Sequence, residues 1–456
     1  MKKITDYQNK NILVLGLGKS GVNAAKLLHK LAANVTVNDK KVPSDHKLVD
    51  ELTEMGIQVV TGSHPLELLD NCNLMVKNPG IPYDNPLVKE ALARQISVIT
   101  EPELAYEVSE APMIGVTGTN GKTTTTTLIS LMLAKTHFNH VYTAGNIGTS
   151  VSMVAQKAQA DDVIVTELSS FQLNGITQLH PHIAVLTNLY EAHTDFHGTH
   201  EKYVQAKLKI TQNQTAADFF VVNWDNAEVR QASAVSQAQL VPFSAQDAIE
   251  TGAYLRDGDL YYQKERIMAA SEIKLPGEHN IENALAAIVV AKILGQDNHH
   301  IVEVLKTFSG VKHRTQFLTT YQGRSFYNDS KATNLEATEK ALEGFKKPVV
   351  LLAGGLDRGL SFEKLLPSLK QHVSALIVFG QTAKQLADLG QRAGIKQIEF
   401  SQDAATAVPQ AFALSQPGDV ILLSPACASW DQWPTFEVRG DKFIEAVDKL
   451  MKKTEE

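Results

Sequence analysis

The sequence predicts an α/β protein built from three Rossmann-like modules. Short apolar runs rich in Val, Ile and Leu alternate with helical patterns along the whole chain, which is typical of parallel sheets covered by helices. Several of these runs end in glycine-rich turns, as strands do where a phosphate group binds. A length of 456 residues also exceeds that of one compact domain.

Two changes of pattern, near residues 100–112 and 308–314, suggest where the modules meet. The first contains Pro102 and Pro112, and we interpret it as a linker because proline interrupts regular structure. The expected domains are therefore 1–102, 103–310 and 311–456.

Composition excludes several classes of function. Hydrophobic residues make up 43% and charged residues 20% of the chain, as in ordinary globular proteins. A formal net charge of −7 argues against a nucleic-acid partner or a membrane-surface partner. The two cysteines, Cys72 and Cys427, form no disulfide framework and indicate a reducing compartment. No apolar segment is long enough to span a membrane, so we expect a cytoplasmic protein.

The first module begins with a nucleotide-binding pattern. The strand Ile12–Leu15 leads into a GxGxxG turn over residues 16–21, a helical pattern follows, and a second strand ends at Asp39. Such a turn places a phosphate on a helix N-terminus, and the acid can meet a ribose. A dinucleotide and a nucleotide-sugar fit equally well, and a purely structural turn is the other alternative. A later turn, at 78–80, would let backbone approach the same ligand.

The second module carries a phosphate loop over residues 114–124. An apolar strand is followed by a glycine-rich turn, and Lys122 and Thr123 open a helical run. Backbone N–H groups would cradle phosphates, the lysine would reach the outer phosphates, and the threonine hydroxyl would bind Mg²⁺. Val116 stands where a standard Walker A motif has glycine. We predict an ATP site, with the strand-end Glu167 as a second Mg²⁺ ligand; a solvated glutamate is the alternative.

A histidine-rich segment follows, with His193, His197 and His200. Their spacing could line one helix face and hold Zn²⁺, although Gly198 weakens a helix there. A single catalytic or Mg²⁺-linked histidine and plain surface histidines are the alternatives. Beyond them, Lys207 and Lys209 have the spacing of a solvated helix face.

The third module presents polar residues at the end of a short strand, in the segment 328–334. Its carboxylate, hydroxyl, ammonium and amide groups suit an anionic substrate and a transferring phosphoryl group. Arg314, just before it, could clamp a phosphate or carboxylate. A plain turn is the alternative.

Together these motifs resemble a known family, the ATP-dependent Mur ligases of peptidoglycan synthesis. The resemblance rests on GTNGKTT at 118–124, ELSSFQ at 167–172, Asn188 with His193, Lys207, the paired asparagines at 280 and 283, and HR at 313–314. It covers essentially the whole chain. NDSKATN at 328–334 and SPACASWD at 424–431 are similar to the members that add D-glutamate to UDP-N-acetylmuramoyl-L-alanine.

The resemblance implies an N-terminal UDP-binding module, a central P-loop ATPase and a C-terminal amino-acid-binding module. It implies a monomer that uses ATP, two Mg²⁺ ions and a carbamate on Lys207, and that activates the substrate's carboxylate as an acyl phosphate. The implied catalytic residues are Lys122, His193, Lys207 and Lys331. The implied metal ligands are Thr123, Glu167, His193 and carbamylated Lys207. The implied ATP-binding residues are Gly118, Thr119, Asn120, Gly121, Lys122, Thr123, Thr124, Asn280, Asn283, Arg314 and Asp329.

The resemblance also implies two substrate sites. The UDP-sugar would contact Gly18, Ser20, Asp39, Asn78, Gly80 and Asn146. D-glutamate would contact Thr333, Arg358, Ser429, Trp430 and Phe436. The chain departs from the family where Asp39 is followed by two lysines instead of an arginine, and where Arg358 replaces a lysine.

Three other functions compete with this interpretation. An NAD-linked oxidoreductase would use the turn at 16–21 but would leave the phosphate loop unexplained. A nucleotide-gated switch would hydrolyse ATP whether or not D-glutamate is present. A sister ligase would add a different amino acid.

Overall fold

The computed structural model describes residues 1–43, 46–247, 249, 251–275, 277–359 and 361–452, without the side chains of Asp195 and Glu336. The chain divides into two compact units, Met1–Thr307 and Phe308–Glu456. The first unit contains two sheets and the second contains one, so the expected α/β fold with three modules is confirmed. The domain limits 1–102, 103–310 and 311–456 remain predictions.

The first sheet has five parallel strands in the order β3-β2-β1-β4-β5, the order of a Rossmann half. Its strands are β1 Asn11–Leu15, β2 Asn34–Asp39, β3 Gln58–Thr61, β4 Leu74–Lys77 and β5 Ser97–Ile99. The helices that accompany it are α1 Lys19–Lys30, α2 Lys47–Glu54 and α3 Pro86–Ala93. The apolar runs at 12–15, 35–38 and 74–76 form strands as predicted, because neither face of this sheet is left to water.

The segment 100–112 is not the linker that we expected. Glu101–Val108 forms a helix, α4, with Pro102 in its first turn, where proline is compatible with a helix because its missing N–H is not needed there. Leu104, Ala105 and Val108 are fully buried. Proline therefore starts a packed helix here instead of interrupting structure.

The second sheet has nine strands in the order β14-β13-β12-β11-β10-β9-β6-β8-β7. The strands are β6 Met113–Thr117, β7 Val141–Gly145, β8 Val163–Glu167, β9 Ile183–Leu186, β10 Phe219–Asn223, β11 Gln239–Ser244, β12 Ala253–Arg256, β13 Asp259–Tyr262 and β14 Glu265–Ala269. The helices are α5 Lys122–Leu133, α6 Val151–Ala155, α7 Ser170–Leu173, α8 Thr194–His197, α9 His200–Leu208, α10 Ala227–Ser233, α11 Glu278–Ile293 and α12 Asn298–Thr307. Strands β6 to β11 are parallel to their neighbours, and the predicted strands at 163–166, 183–186 and 219–222 all lie among them.

Strands β12 to β14 form an antiparallel extension that we did not predict. Asp257 and Gly258, between β12 and β13, both have positive φ, as a two-residue hairpin turn requires. The Asp-Gly pair was the available sequence signal for this hairpin.

The third sheet, in the second unit, has six strands in the order β15-β16-β20-β17-β18-β19. The strands are β15 Gln316–Tyr321, β16 Arg324–Asn328, β17 Val349–Gly354, β18 Val373–Phe379, β19 Gln397–Phe400 and β20 Val420–Leu423. The helices are α13 Leu335–Glu343, α14 Leu366–His372, α15 Ala383–Arg392, α16 Ala407–Leu414 and α17 Phe436–Lys452. All pairs are parallel except the hairpin of β15 and β16. In the described part of the chain, no helix has both the length and the apolar character that a bilayer crossing requires.

Candidate active site

The glycine-rich turn after β1 is shaped by close approach of the Asn78 side chain. A Cβ on Gly16 would lie 2.5 Å from Asn78 Nδ2, and one on Gly18 would lie 2.8 Å from the same atom. The Ser20 hydroxyl donates to Asn78 Oδ1 over 2.8 Å, and Asp39 Oδ2 accepts from the backbone N–H of Leu17 over 2.8 Å. The structure thus gathers four of the six residues predicted to bind a UDP-sugar at one end of the first sheet.

The other two predicted UDP-sugar residues, Gly80 and Asn146, make no hydrogen-bond contact with this cluster that the described residues show. Gly80 is exposed, two residues beyond Asn78 in the same turn. Asn146 follows β7 of the second sheet, and its side chain donates to Glu167 Oε1 over 2.9 Å. Asn146 therefore sits beside the predicted metal ligand.

The phosphate loop joins β6 to α5 and depends on two glycines. Gly118 and Gly121 have φ values of +145° and +80°, which favour glycine. A Cβ on Gly118 would collide with Thr187 Oγ1, and one on Gly121 would collide with Asn283 Oδ1. The two glycines of the GTNGKT pattern are therefore required by the conformation of the loop and by its neighbours.

Residues from β9 and α9 hold this loop in place. The backbone N–H of Asn120 donates to Asn188 Oδ1 over 2.8 Å, and the Thr187 hydroxyl donates to the Asn120 carbonyl over 2.6 Å. The hydroxyls of Thr119 and Tyr203 are 2.9 Å apart. We did not predict roles for Thr187 and Tyr203, because no local pattern links them to the loop.

Two lysines converge on the phosphate loop. Lys122 Nζ donates to the carbonyls of Gly118 and Thr119 over 2.9 and 2.8 Å. Lys207 Nζ donates to the same Gly118 carbonyl over 2.7 Å and lies 4.6 Å from the centre of the Tyr203 ring. Lys207 is 2% exposed, so the prediction of a solvated helix face from the lysine spacing was wrong.

Burial is the main cause of an altered Lys207 pKa. It lowers the pKa of the ammonium well below its ordinary value, and the charge of Lys122 lowers it further, while Glu167 acts in the opposite direction. A lysine in this position favours the neutral amine.

Glu167, at the end of β8, has the surroundings of a metal ligand. It is 1% exposed, and its buried Oε2 has no hydrogen-bond partner among the residues that the structure describes. Thr123, in the first turn of α5, is equally buried. A hydroxyl and a carboxylate oxygen beside a phosphate loop are the donors that Mg²⁺ prefers, so these residues fit the metal that we predicted.

The three histidines do not share one helix face. His193 precedes the four-residue helix α8 with a φ of 55°, and Gly198 ends that helix before α9 begins. His197 contacts the Ser170 hydroxyl and His200 contacts Glu228 Oε1. No group of three or more metal-ligating side chains occurs among the residues that the structure describes. The single helix face on which the zinc alternative depended is therefore not formed by this segment.

Asn280 and Asn283 lie at the start of α11, against the phosphate loop. Asn283 Nδ2 donates to Asn280 Oδ1 over 2.9 Å, and its Oδ1 accepts from the Thr125 hydroxyl over 3.2 Å. Both asparagines are buried. A polar cavity of about 340 Å³ in the same unit is lined by Leu189, Tyr190, Asn223, Asp225, Asn226, Ala227, Glu228, Gln246 and Glu282.

In the second unit, Asp329 lies between the strand ends of β16 and β20. It accepts from the Ser424 hydroxyl over 2.8 Å and from the Thr315 N–H over 2.9 Å. Burial raises the pKa of Asp329 to about 6, although these bonds and the charge of Arg314 act to lower it. Arg314 and Asp329, predicted from separate segments, are therefore neighbours, and Lys331 follows with its N–H bonded to the His313 carbonyl.

A cavity of about 250 Å³ in the second unit contains two of the residues predicted to bind D-glutamate, Thr333 and Arg358. The Arg358 guanidinium lies 5.0 Å from the centre of the Trp430 ring. Ser429 is buried, and its hydroxyl has no hydrogen-bond partner in the described part of the chain. The Phe436 carbonyl accepts from the Ser330 hydroxyl. The remaining lining residues are Asn334, Leu335, Leu356, Asp357, Ser361, Phe362, Lys364, Ala426, Cys427 and Ala428.

Arg439, on α17, is a buried residue of this region that we missed. It is 0% exposed; its Nε donates to the Ser330 hydroxyl over 3.0 Å, and its Nη2 donates to the Ser330 and Cys427 carbonyls over 2.8 and 3.0 Å. It therefore ties together the loops that follow β16 and β20. An arginine in an amphipathic helix is usually solvated, so the sequence held no signal for this role.

Family models match three consecutive parts of the chain. A Mur ligase MurD-like N-terminal domain matches residues 10–100, a Mur ligase middle domain matches 116–291, and a Mur ligase glutamate ligase domain matches 313–427.

Curated relatives match over the full length. The chain is 64% identical over 457 residues to the UDP-N-acetylmuramoylalanine--D-glutamate ligase of Ligilactobacillus salivarius, with 100% of both chains covered. It is 60% identical to the enzyme of that name from Lactiplantibacillus plantarum and 55% identical to that from Listeria innocua, again over 100% of each chain.

Solved structures share the fold. The UDP-N-acetylmuramate-alanine ligase MurC of Thermotoga maritima superposes with a TM-score of 0.54 at 19% identity, covering 97% of this chain and 99% of the other. The MurF ligase of the same organism, in complex with ADP, gives a TM-score of 0.53 at 17% identity, covering 98% and 96%.

Proposed function

Because the chain belongs to the Mur ligase family, we propose that it is an ATP-dependent ligase that joins D-glutamate to UDP-N-acetylmuramoyl-L-alanine. The observation that carries this proposal is its 64% identity, over the whole of both chains, to an enzyme of that name. The phosphate loop with its two converging lysines supports the use of ATP. The product would be an amide and ADP, in peptidoglycan precursor synthesis.

The reaction would proceed in two steps. The L-alanyl carboxylate attacks the γ-phosphorus of ATP, so that an acyl phosphate forms and ADP leaves. The amine of D-glutamate then attacks the acyl carbon, and the tetrahedral intermediate expels inorganic phosphate. A free carboxylate is a poor electrophile, and the phosphate supplies the leaving group that it lacks.

The residues of the first unit would hold the phosphates and their metal. Gly118 to Thr124 present backbone N–H groups to the phosphates, and Lys122 would leave the loop carbonyls to meet the outer phosphates. Thr123, Glu167 and His193 would hold Mg²⁺, which neutralises the negative charge that gathers on the phosphoryl group. Asn280 and Asn283 would contact the adenine, with Arg314 and Asp329 of the second unit also serving the nucleotide.

Lys207 would serve this site as a carbamate. Its buried environment favours the neutral amine, which is the form that adds to CO₂. The product is an anionic oxygen ligand, whereas an ammonium group beside Mg²⁺ would be repelled.

The two substrates would be bound by residues from different parts of the sequence. The turn after β1, with Gly18, Ser20, Asp39 and Asn78, would take the UDP group, and Gly80 and Asn146 would complete that site. The cavity in the second unit would take D-glutamate, with Lys331 beside the acyl phosphate. There Thr333, Arg358, Ser429, Trp430 and Phe436 would contact this amino-acid dicarboxylate, and Arg358 would supply a positive charge.

We further propose that the protein works as a monomer in the cytoplasm, on small molecules only. Its net charge of −7 is unsuited to nucleic acid or anionic lipid.

The decisive experiment measures phosphate release from ATP and Mg²⁺ in the presence of UDP-N-acetylmuramoyl-L-alanine, with and without D-glutamate. We expect release to require D-glutamate and a ligated product to appear by mass spectrometry. An equal rate of phosphate release with and without D-glutamate would indicate an ATPase and contradict the ligase proposal. An amino-acid panel in the same assay tests for a sister ligase.

The matched variant for this assay is Lys122→Ala. It removes the cation that we assign to the outer phosphates, so phosphate release should fall to background. A variant that keeps most of the turnover would contradict the assignment of the phosphate loop.

A further inference from the structure

Lys77, the last residue of β4, is a buried cation for which the proposed reaction has no role. It is 1% exposed, and within the described residues it forms no ion pair with any carboxylate. A lone buried ammonium is unfavourable unless other groups satisfy its charge and its three N–H donors. Burial accordingly lowers the pKa of Lys77 to about 8.

The donors of Lys77 are satisfied by the turn that follows it. Its Nζ donates to the carbonyl of Ile81 over 2.8 Å, to that of Pro79 over 3.3 Å and to that of Asn78 over 3.4 Å. Three carbonyls of one four-residue turn therefore point at a single cation. These bonds add to the backbone hydrogen bond from the Ile81 N–H to the Asn78 carbonyl, at 3.0 Å, and the cation offsets the mutual repulsion of the three carbonyls.

The same turn forms the wall of the glycine-rich loop. The Asn78 side chain lies against Gly16 and Gly18 and accepts from the Ser20 hydroxyl. A shift of the turn would move Asn78, and the loop backbone would lose its support. The exposed Gly80 lies in the same four residues.

Lys77 also lies close to two aromatic rings, one of them on helix α8. Its Nζ lies 4.7 Å from the ring centre of Tyr83 and 5.9 Å from that of Phe196, distances typical of cation–π contacts. Phe196 lies on α8, which His193 precedes, and the Tyr83 hydroxyl donates to the Asn174 carbonyl. The cation thus joins the turn beside the glycine-rich loop to α8, the helix that begins directly after His193.

We infer that Lys77 is a positioning residue for the UDP-sugar, which acts by fixing the turn 78–81 against the glycine-rich loop and α8. The inference rests on the proposed function, since it concerns the substrate of the same site. Lys77 also places a buried positive charge near this loop, and no carboxylate of the described residues pairs with it. Such a charge would attract the negatively charged diphosphate of the substrate.

The test is Lys77→Met, which keeps the length of the side chain and removes its charge and donors. The dissociation constant of UDP-N-acetylmuramoyl-L-alanine, measured by calorimetry on the full-length protein, should rise about tenfold or more, the loss expected for one charge-assisted contact. The KM for this substrate should rise in parallel while kcat and ATP binding change less than about twofold, the signature of lost uniform binding.

The matched control is Lys209→Met. Lys209 is a partly buried lysine bonded to a carbonyl, that of Asn174 at 2.8 Å, and its hydrogen bonds within the described residues go to Asn174 and not to the turn 78–81. Its removal should leave UDP-sugar affinity within about twofold of the wild type. A loss equal to that of Lys77→Met would show a general effect of lysine removal and overturn the inference.

A Lys77→Met protein that binds the UDP-sugar as the wild type does would also overturn the inference. If this variant does not fold, Lys77→Arg replaces it, since a planar guanidinium keeps the charge but cannot donate to three carbonyls in the same geometry. Its KM for the UDP-sugar should rise with kcat retained, and an unchanged KM would contradict the inference. A wild-type protein that fails to bind the UDP-sugar would instead contradict the proposed function.

Discussion

At the scale of single residues, Lys207 shows how much a side chain's chemistry depends on its surroundings. In a solvated helix this lysine would be an ordinary ammonium. In the structure it is buried, shares the Gly118 carbonyl with Lys122, and has a pKa well below its usual value. The same side chain therefore becomes a candidate for covalent modification.

Lys207→Ala should reduce ligation at least about a hundredfold, because it removes an anionic ligand from the proposed metal site. Added formate or another short carboxylate should restore part of the activity by occupying the space that the carbamate leaves. The measurement is product formation as a function of carboxylate concentration. Lys209→Ala serves as the control, and an active Lys207→Ala protein, or the absence of any rescue, would count against the carbamate.

Asp329 should make the stability of the second unit depend on pH. Its pKa is raised from 3.8 to about 6, so between these values the folded state binds more protons than the unfolded state. The contribution of Asp329 to the free energy of unfolding is then full below about pH 4, falls as the pH rises through 6, and stays low above it.

The Asp329→Asn variant tests this behaviour, since it cannot ionise. The difference in free energy of unfolding between this variant and the wild type should shift in favour of the variant as the pH rises from 4 to 7. The shift should be on the order of 3 kcal/mol. Urea unfolding at several pH values provides the measurement, with the exposed Asp388→Asn as control. Parallel pH curves for Asp329→Asn and the wild type would contradict the prediction.

At the scale of secondary structure, helix α4 is anchored by one carboxylate. Glu103 is 0% exposed and accepts from the N–H groups of Thr177, Gln178 and Leu179 over 3.0, 2.5 and 3.0 Å and from the Thr177 hydroxyl over 2.7 Å. All of these donors lie in the segment before β9. The helix is therefore an integral part of the fold of the first unit.

Glu103→Ala should lower the free energy of unfolding of the first unit by about 3 kcal/mol or more, because it leaves three backbone N–H groups without their acceptor. Denaturant unfolding gives the value, and hydrogen exchange at 177–179 locates the change. Glu110→Ala is the control: this exposed residue pairs with the N-terminus at 3.1 Å, and its loss should cost less than about 1 kcal/mol. Equal effects of the two substitutions would refute the anchoring role.

At the scale of the whole molecule, the residues proposed to bind different substrates belong to different units. The glycine-rich turn and the phosphate loop belong to Met1–Thr307, and the cavity with Thr333 and Arg358 belongs to Phe308–Glu456. Each unit has its own apolar core. A substitution in the cavity of the second unit should therefore change the affinity for D-glutamate and leave the sites of the first unit intact.

Arg358→Met should raise the KM for D-glutamate about tenfold or more, because it removes a charge-assisted contact to a carboxylate. The dissociation constant of the UDP-sugar should stay within about twofold. Steady-state kinetics and calorimetry give the two values. Arg392→Met, which removes an exposed arginine paired with Glu363 at 2.7 Å, is the control; an unchanged KM for D-glutamate in Arg358→Met would contradict this use of the cavity.

The sequence by itself determined the fold class, the family and most of the strands near the proposed sites. The apolar β-branched runs formed strands, and the glycine patterns formed the two loops, because both features depend on local backbone preferences. The hairpin of β12 and β13 had an equally local signal, its Asp-Gly turn. The motifs at 118–124 and 328–334 were likewise recognisable within single segments.

Only the tertiary structure decided which side chains are buried and what they contact. Lys207 and Lys77 are buried although lysine is usually a surface residue, and Pro102 suggests a break where α4 packs. Thr187, Tyr203 and Arg439 act on loops that are distant in the chain. Burial and hydrogen bonding depend on neighbours that the fold brings together from far along the chain, so no local pattern encodes them.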